Sequence, residues 1–312
     1  MVITHNGVQN FPIVPSGITW ELERKDSPGK LTFECIKDTN LNFQEGDNVQ
    51  AFYGDKGFFY GFVFKKSRSK DGIIKVVAYD QLRYLKNKGS YTYENWTAAK
   101  LLKKVTTDYG MRWGNVENTV HPVTRSDDNS TLFDIIQNAL DETVVATGKL
   151  YVMYDDFGYV TLKNINDMKV NIIIDADTAS DYDYSSSIDD DTYNSVIVTY
   201  SADDVTKHYY ASSAQNIKQW GVLLTTDTVD NPSLGQAKAN ALLKLHNAKT
   251  RNLKVQDAFG DIRVRAGSLV VVNLHLGDLV AQNYMFVERV THKFENGLHT
   301  MDLTLTGGEF VA

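Results

Sequence analysis

The sequence has little of what builds covalent, metal-bound or membrane-spanning structures. It contains one cysteine, Cys35, among 312 residues, which excludes an internal disulfide framework and a zinc site with several cysteine ligands. No apolar run approaches the ~18 residues of a membrane helix. Residues 1–10 also lack the basic and apolar segments of a secretory signal. We therefore expect a protein that is made in the cytoplasm and does not span a membrane.

Positive charge and proline are scarce as well. The chain has 32 Lys and Arg against 39 Asp and Glu, a formal net charge of −7, and its one short basic cluster is residues 65–70. Since nucleic-acid binding depends on basic patches, we expect no specific nucleic-acid binding. Only 5 residues are Pro, whereas 17 Tyr and 14 Phe favour β-strands. The length corresponds to about two or three domains.

The first part of the chain alternates apolar and polar residues. Leu31, Phe33 and Cys35 share one face of a predicted strand, and Gly- and Asp-containing turns separate it from its neighbours. Short strands at this spacing are typical of a small antiparallel barrel or sandwich. We therefore predict a first β-barrel domain over residues 1–90.

Helical periodicity begins near residue 91. One helix ends at Gly110 and a second has Ser130 as its predicted N-cap and Gly148 after its end. Their apolar faces are Ala98, Leu101, Leu102 and Val105 in the first, and Leu132, Ile135, Ile136, Ala139 and Leu140 in the second. A hairpin follows, with strands at 150–154 and 159–163. These elements predict an α+β module over residues 91–168.

The remaining residues, 169–312, predict a second β-barrel domain with one helix near 232–248. Asn231 is the predicted cap and Pro232 the first helical residue, with a buried face of Leu234, Ala237, Ala241, Leu245 and Ala248. Strands are predicted on either side of this helix, and in the last one His299, Met301, Leu303 and Leu305 share a face. The fold class is thus mainly β with an α+β insertion: two related antiparallel β-barrel domains flanking a small module.

A weak internal repeat links the two ends. Residues 46–49, 62–64 and 70–73 have counterparts at 267–270, 286–288 and 295–298, each set running from a Gly turn through a Phe-Val strand to an Asp-Gly or Asn-Gly turn. Such turns recur in any β protein, so the pattern is compatible with chance as well as with two related barrels.

No catalytic, cofactor or metal site stands out. His292 and His299 flank a turn with Glu295 and could meet across a hairpin, but a zinc site would lack further ligands. The acidic run at 175–191 fails as a calcium loop, because Ser180 and Ser186 stand where an EF-hand needs Gly and Glu, and we interpret it as a solvated linker. Adjacent carboxylates such as Asp141 and Glu142 have no reason to face each other, although a pair hidden across strands stays possible. We expect no enzyme.

Several segments resemble the XkdQ/YqbQ-like phage tail proteins of the late control protein D superfamily. They are Trp20, Gly29-Lys30-Leu31-Thr32-Phe33, Gly46-Asp47-Asn48-Val49, Phe59-Tyr60-Gly61-Phe62-Val63, Ala78-Tyr79-Asp80-Gln81-Leu82-Arg83-Tyr84-Leu85, Asp191-Thr192-Tyr193-Asn194-Ser195-Val196 and the closing strands. The resemblance covers nearly the whole chain, and its most specific segment is 78–85.

This resemblance implies a structural baseplate hub of a contractile tail, from a phage, a prophage-like element or an R-type bacteriocin. Such hubs are similar in fold to the N-terminal part of the type VI secretion spike protein, carry two related barrels and form trimers. The implied partners are a homotrimer, the six-fold tail tube ring and the three-fold central spike, with baseplate wedge and LysM-type tail proteins as further possibilities. The implied location is the cytoplasm during assembly and then the tail baseplate.

Two other functions remain open at this stage. A tail-associated cell-wall hydrolase would need a catalytic motif that the sequence does not display, and a carbohydrate-binding adhesin would also suit β-barrels with exposed aromatics. The sequence does not separate a DNA-delivering phage from a DNA-free bacteriocin, nor does it identify interface residues or the partner of module 91–168.

Overall fold

The computed structural model describes residues 1–307 except 190, 203–204, 230 and 276–279, with the backbone alone at 275 and 280–283. The predicted mainly β class with helical insertions is confirmed. The strands are β1 (Val2–His5), β2 (Val8–Asn10), β3 (Ile18–Glu23), β4 (Lys30–Ile36), β5 (Asn48–Tyr53), β6 (Lys56–Arg68), β7 (Ile73–Asp80), β8 (Lys88–Thr97), β9 (Trp113–Val116), β10 (Pro122–Thr131), β11 (Tyr151–Asp155), β12 (Val160–Asn164), β13 (Lys169–Ile174), β14 (Asp181–Ser187), β15 (Ser195–Ala202), β16 (Val205–Ser212), β17 (Leu224–Thr228), β18 (Thr250–Phe259), β19 (Leu269–His275), β20 (Val280–Glu295) and β21 (Leu298–Gly307). The helices are α1 (Ala98–Asp108), α2 (Leu132–Thr147), α3 (Ala214–Trp220) and α4 (Gly235–His246), with short 3-10 turns at Gln81–Lys86, Ile165–Asp167 and Pro232–Leu234.

Strands from both ends of the chain form one sheet of thirteen strands, in the order β14-β18-β21-β20-β3-β4-β7-β6-β5-β1-β2, with β13 and β19 attached beside β20. The predicted inward faces of β4 and β21 are buried, as alternation requires. One hydrophobic core runs under the whole sheet, from Leu31 and Phe33 to Leu303 and Leu305. The β3–β20 pair therefore joins the two β regions. Among the described strands, the sheet does not close on itself and ends at β14 and at β2.

The middle module has its own core. Strands β8 and β10 form a two-stranded sheet, β11, β12 and β9 form a three-stranded one, and α1 and α2 pack with them around Leu101, Leu102 and Ile135. The predicted helix faces are buried. The predicted cap of α2 was wrong by one residue, since the Thr131 hydroxyl, not that of Ser130, accepts from the Asp134 N–H at 3.1 Å.

The prediction of a linker over 175–191 was wrong for β14. This strand pairs with β18 along all seven of its residues, from Asp181 opposite Gln256 to Ser187 opposite Thr250. Its place at the end of the sheet explains the composition, because an edge strand keeps one row of side chains and one row of backbone groups in water.

A small separate layer is inserted between β14 and β18. Strands β16, β15 and β17 form its sheet, and α4 covers it. The predicted face of α4 was wrong at its start, where Leu234 and Ala237 are exposed, whereas the predicted Ala241, Leu245 and Ala248 are half-buried. The fully buried residue is Ala239, with Leu242 and Leu243 packed beside it. The cause is the 3-10 turn Pro232–Leu234, capped by Asn231, which delays the α-helix to Gly235 and changes its phase.

Candidate assembly interface

The large sheet contains the same five-strand arrangement twice. In the first copy, β3, β4, β5, β6 and β7 lie in the order β3-β4-β7-β6-β5. In the second copy, β14, β18, β19, β20 and β21 lie in the order β14-β18-β21-β20-β19. Numbered by sequence within each copy, both orders are 1-2-5-4-3. The repeat that the sequence only hinted at is therefore present in the strand topology.

Backbone hydrogen bonds match between the copies. In the first, Gly46 N–H donates to Val63 O at 2.8 Å and Val63 N–H donates to Asp47 O at 2.9 Å. In the second, Gly267 N–H donates to Val287 O at 2.7 Å and Val287 N–H donates to Ser268 O at 2.9 Å. Both glycines have positive φ, +91° and +96°, a conformation that L side chains rarely adopt.

Each long central strand also changes register just after that valine. The shift lies between Val63 and Lys65 in β6 and between Val287 and Arg289 in β20. A β-bulge at one fixed position bends both strands in the same way. The copies are thus equivalent in connectivity, turn conformation and bend.

The first copy meets the second through antiparallel pairing of β3 with residues 289–294 of β20. On the outer face, Arg289 pairs with Glu23 at 2.7 Å. Just beyond the end of β3, the Arg24 guanidinium binds the Glu288 carboxylate at 2.7 and 3.1 Å. On the inner face, the Trp20 ring stacks on His292 at 4.8 Å between centroids. The junction is consequently apolar inside and charged outside.

A buried polar cluster ties the middle module to both copies. Asp80, at the end of β7, accepts hydrogen bonds from the N–H groups of Gly29 and Leu82 at 2.8 and 3.0 Å. Asp155, at the end of β11, accepts from the Gln81 amide at 2.9 Å and from the Gly158 N–H at 2.7 Å.

Arg265 completes the cluster from the segment before β19. Its guanidinium donates to the Asp155 carbonyl oxygen and lies over the rings of Tyr154, at 4.7 Å, and Trp20, at 5.4 Å. Burial raises the pKa of Asp80 well above its ordinary value, and the neighbouring Asp155 charge adds to that effect. Burial also raises the pKa of Asp155. These carboxyl groups are held by backbone and amide donors, so their geometry is that of a structural joint.

Sequence reasoning missed this joint because its members come from three distant segments. The available signal was the specific run 78–85, which contains Asp80 and Gln81. A buried carboxyl pair across strands does exist, as the sequence left open. Both carboxyl groups are almost fully buried, which keeps them away from a large substrate.

His292 and His299 do meet, with their Nδ1 and Nε2 atoms 2.9 Å apart. The His292 Nε2–H donates to Val264 O at 3.0 Å, so its Nδ1 accepts from His299. Burial lowers the pKa of His292 to about 3, and the neighbouring His299 adds to the shift. Glu295 takes no part in this pair, and the described residues include no group of three or more ligating side chains that could hold a metal.

Other predicted carboxylates point to separate partners. Glu142 pairs with Arg125 at 2.5 Å, while Asp141 accepts from the Gln137 amide at 2.7 Å. In the part of the chain that the structure describes, no helix has the length and apolar character needed to cross a membrane.

Both copies of the five-strand arrangement lie within a segment that matches a known protein family. The YQBQ-like family model matches residues 18–306, which include both copies of the repeat. The chain belongs to the YQBQ-like family. A relative in it is the phage-like element PBSX protein XkdQ of Bacillus subtilis (strain 168), 26% identical over 302 residues that cover 93% of this chain and 92% of that protein. The resemblance drawn from the sequence is confirmed.

Solved structures share the fold of this YQBQ-like chain. The 43 kDa tail protein of prophage MuSo2 from Shewanella oneidensis has a TM-score of 0.70 at 11% identity, covering 100% of this chain and 99% of that one. A tail protein from Neisseria meningitidis MC58 has a TM-score of 0.69 at 10% identity, with 99% and 97% covered. An E. coli component of the type VI secretion system has a TM-score of 0.61 at 11% identity, with 99% and 78% covered.

Proposed function

We propose that this protein is a structural baseplate hub of a contractile phage-like tail. In this proposal it forms a trimeric ring between the six-fold tail tube and the three-fold central spike. The observation that supports it is the duplicated five-strand arrangement. Membership of the YQBQ-like family and a fold shared with phage tail and type VI secretion proteins also support it.

The duplicated arrangement matches the symmetry that a connector between a six-fold and a three-fold assembly requires. A trimer of chains with two equivalent sheets each presents six similar surfaces, which match the six subunits of a tube ring. The middle module and the small β15–β17 layer make the two copies of each chain different in their surroundings. Where the copies differ in this way, the trimer has three-fold symmetry only. One side of such a ring suits the tube and the other suits a three-fold spike.

We infer a mechanical role rather than a catalytic one. The two buried carboxyl groups with raised pKa values hold backbone and amide donors at the junction of three chain segments. A cell-wall hydrolase needs carboxyl groups that reach a glycan. The net charge of −7 further fits a central passage that does not retain a polyanion, since phosphate binding needs Lys and Arg.

The test is mass measurement under native conditions, on the purified protein alone and after mixing with the tube and spike proteins of the same particle. We expect a trimer that binds both partners at once. A protein that stays monomeric alone and in both mixtures would contradict the proposal. Release of peptidoglycan fragments or binding to isolated glycans, without binding to tube or spike, would favour a hydrolase or an adhesin instead.

A further inference from the structure

We propose that the ring closes by pairing the edge of β14 in one chain with the bulged end of β6 in the next chain. The pairing is antiparallel and repeats between chains the β3–β20 pairing within each chain. This inference rests on the proposed trimer and names the surfaces that hold it together.

The first open edge belongs to β6. Its residues 56–62 pair with β5 on one side, and residues 61–68 pair with β7 on the other. Beyond Val63, the β5 side of this strand has no strand partner among the described residues. In the second copy, the same place along β20 is taken by β3. The side chains of Lys65, Ser67 and Arg68 at this edge are exposed.

The second open edge belongs to β14. It pairs with β18 on one side and ends the sheet on the other. Its counterpart in the first copy, β3, uses the corresponding edge to pair with β20. The outer side of an end strand presents a row of N–H and C=O groups to which another strand can be added. Within each chain, the pairing of β3 with β20 joins the first copy to the second. The open edges of β6 and β14 are the two halves of a second junction of the same kind, and the described chain does not pair them with each other.

The register of the missing pair follows from the repeat. Across the first copy, Val63, Ala78, Leu31 and Trp20 lie opposite one another in successive strands, and across the second copy Val287, Leu305, Leu253 and Tyr184 do the same. Within the chain, His292 lies opposite Trp20 and Thr291 lies opposite Glu21. Counting from the shared valine then places Arg68 opposite Tyr184 of the next chain and Ser67 opposite its Ser185.

Charge favours the same pairing. The basic cluster 65–70 is the free end of β6 and its turn, and the acidic run 175–191 contains β14. Among the described residues, Lys65, Arg68, Asp181 and Asp183 take part in no ion pair within the chain. Opposite charge on the two edges steers them together and discourages like edges from pairing. The basic cluster and the acidic run are thereby brought into one interface.

A designed disulfide tests the register. Since Arg24 N–H donates to Glu288 O, the Glu21–Thr291 pair is a non-hydrogen-bonded pair, and so is its counterpart Ser67–Ser185. Cα atoms in such pairs are about 4.5 Å apart, within the range that a disulfide spans. Ser67→Cys with Ser185→Cys should link chains to each other on oxidation. Both serines are exposed and Cys35 is buried, so folding and background bridging are little affected.

The matched control is Glu21→Cys with Thr291→Cys, the equivalent pair inside one chain. On a non-reducing gel we expect S67C/S185C to give linked dimers and trimers and nothing larger. The control should remain at the mass of one chain while losing both new thiols. If the protein is a trimer in solution and the control closes, but S67C/S185C shows no link between chains, the edge pairing is overturned and the proposed hub stands. A monomer under every condition would overturn both.

Charge reversal provides an independent measurement. Lys65→Glu with Arg68→Glu should raise the concentration at which the trimer half dissociates by about tenfold or more. Adding Asp181→Lys and Asp183→Lys should return it towards the wild-type value, because the two edges then carry net charges of opposite sign again. Equal dissociation of all three proteins would contradict the proposed surfaces.

Discussion

His292 lies buried between Trp20 and His299, and its pKa is lowered to about 3 from an ordinary value of 6.5. Unfolding restores the ordinary pKa, so the neutral buried form contributes stability that is present above pH 6.5 and is lost as the pH falls towards 3. The loss is about 1.4 kcal/mol per pH unit for one such group. We predict that His292→Gln has a shallower loss of unfolding free energy between pH 6.5 and 4 than the wild type.

The measurement is urea unfolding at several pH values in that range. His208→Gln is the control, because His208 is exposed on β16 and should leave the wild-type slope unchanged. Parallel pH profiles for the wild type and H292Q would show that His292 does not carry this acid sensitivity.

Asp80 makes the stability of the protein depend on pH in the opposite direction from His292. Its raised pKa, caused by burial and then by the Asp155 charge, means that its contribution to stability is complete below its unfolded pKa near 3.8. That contribution is lost as the pH rises through the higher folded value. Asp80→Asn removes one acceptor for the Gly29 and Leu82 N–H groups and should cost about 1–3 kcal/mol in mild acid. We predict that this difference from the wild type shrinks between pH 5 and pH 8.

The comparison needs unfolding free energies at both pH values, with Asp55→Asn as an exposed control in the β5–β6 turn. A D80N deficit that is constant or grows with pH would be inconsistent with a raised pKa.

This joint was beyond sequence prediction, because Asp80, Asp155 and Arg265 are brought together only by tertiary folding. The sequence marked the site through the specific run 78–85 without showing its geometry.

At the scale of single elements, the cap of α2 gives a direct comparison of adjacent residues. The Thr131 hydroxyl accepts from the Asp134 N–H, whereas the Ser130 hydroxyl donates to the Asp128 carbonyl. Thr131→Ala should lower the unfolding free energy by about 1 kcal/mol. Ser130→Ala should change it by less than about 0.5 kcal/mol, as for most surface positions. Equal losses of unfolding free energy in the two variants, measured by urea unfolding, would contradict Thr131 as the capping residue.

Periodicity predicted α1, α2 and the paired strands well, because each buries a full apolar face against a large core. It failed on α4, where the preceding 3-10 turn shifts the phase and the small sheet beneath needs few apolar contacts. It also failed on β14, because an edge strand paired on one side does not need the alternation by which strands are recognised. Charge and turn residues there matched a linker equally well.

At the scale of the whole molecule, the small layer built from β15, β16, β17 and α4 is an insertion whose ends meet. Ser187 and Thr250 lie opposite each other in the β14–β18 pair, and the segments beyond them are joined by the Tyr193 N–H to His246 O bond at 3.0 Å. We predict that replacing residues 188–249 by Asn-Gly converts β14 and β18 into a tight hairpin and leaves the large sheet folded.

Cooperative unfolding followed by circular dichroism would check this. A second deletion, of residues 181–249, is the contrast, since it also removes β14 and exposes the edge of β18. We expect that variant to aggregate. If both deletions behave alike, the inserted layer is required for the fold and is not an independent addition.

Pairing of β3 with β20 also determines when the protein can finish folding. Glu23 and Arg289, which face each other in this pair, are separated by 266 residues. At a synthesis rate of about 5–20 residues per second, β3 waits roughly 15–50 s on the ribosome before its partner emerges. Contacts of such high sequence separation make folding slow. The edge of β3 that later pairs with β20 therefore stays open throughout translation, and during that interval it can pair wrongly with strands of other chains.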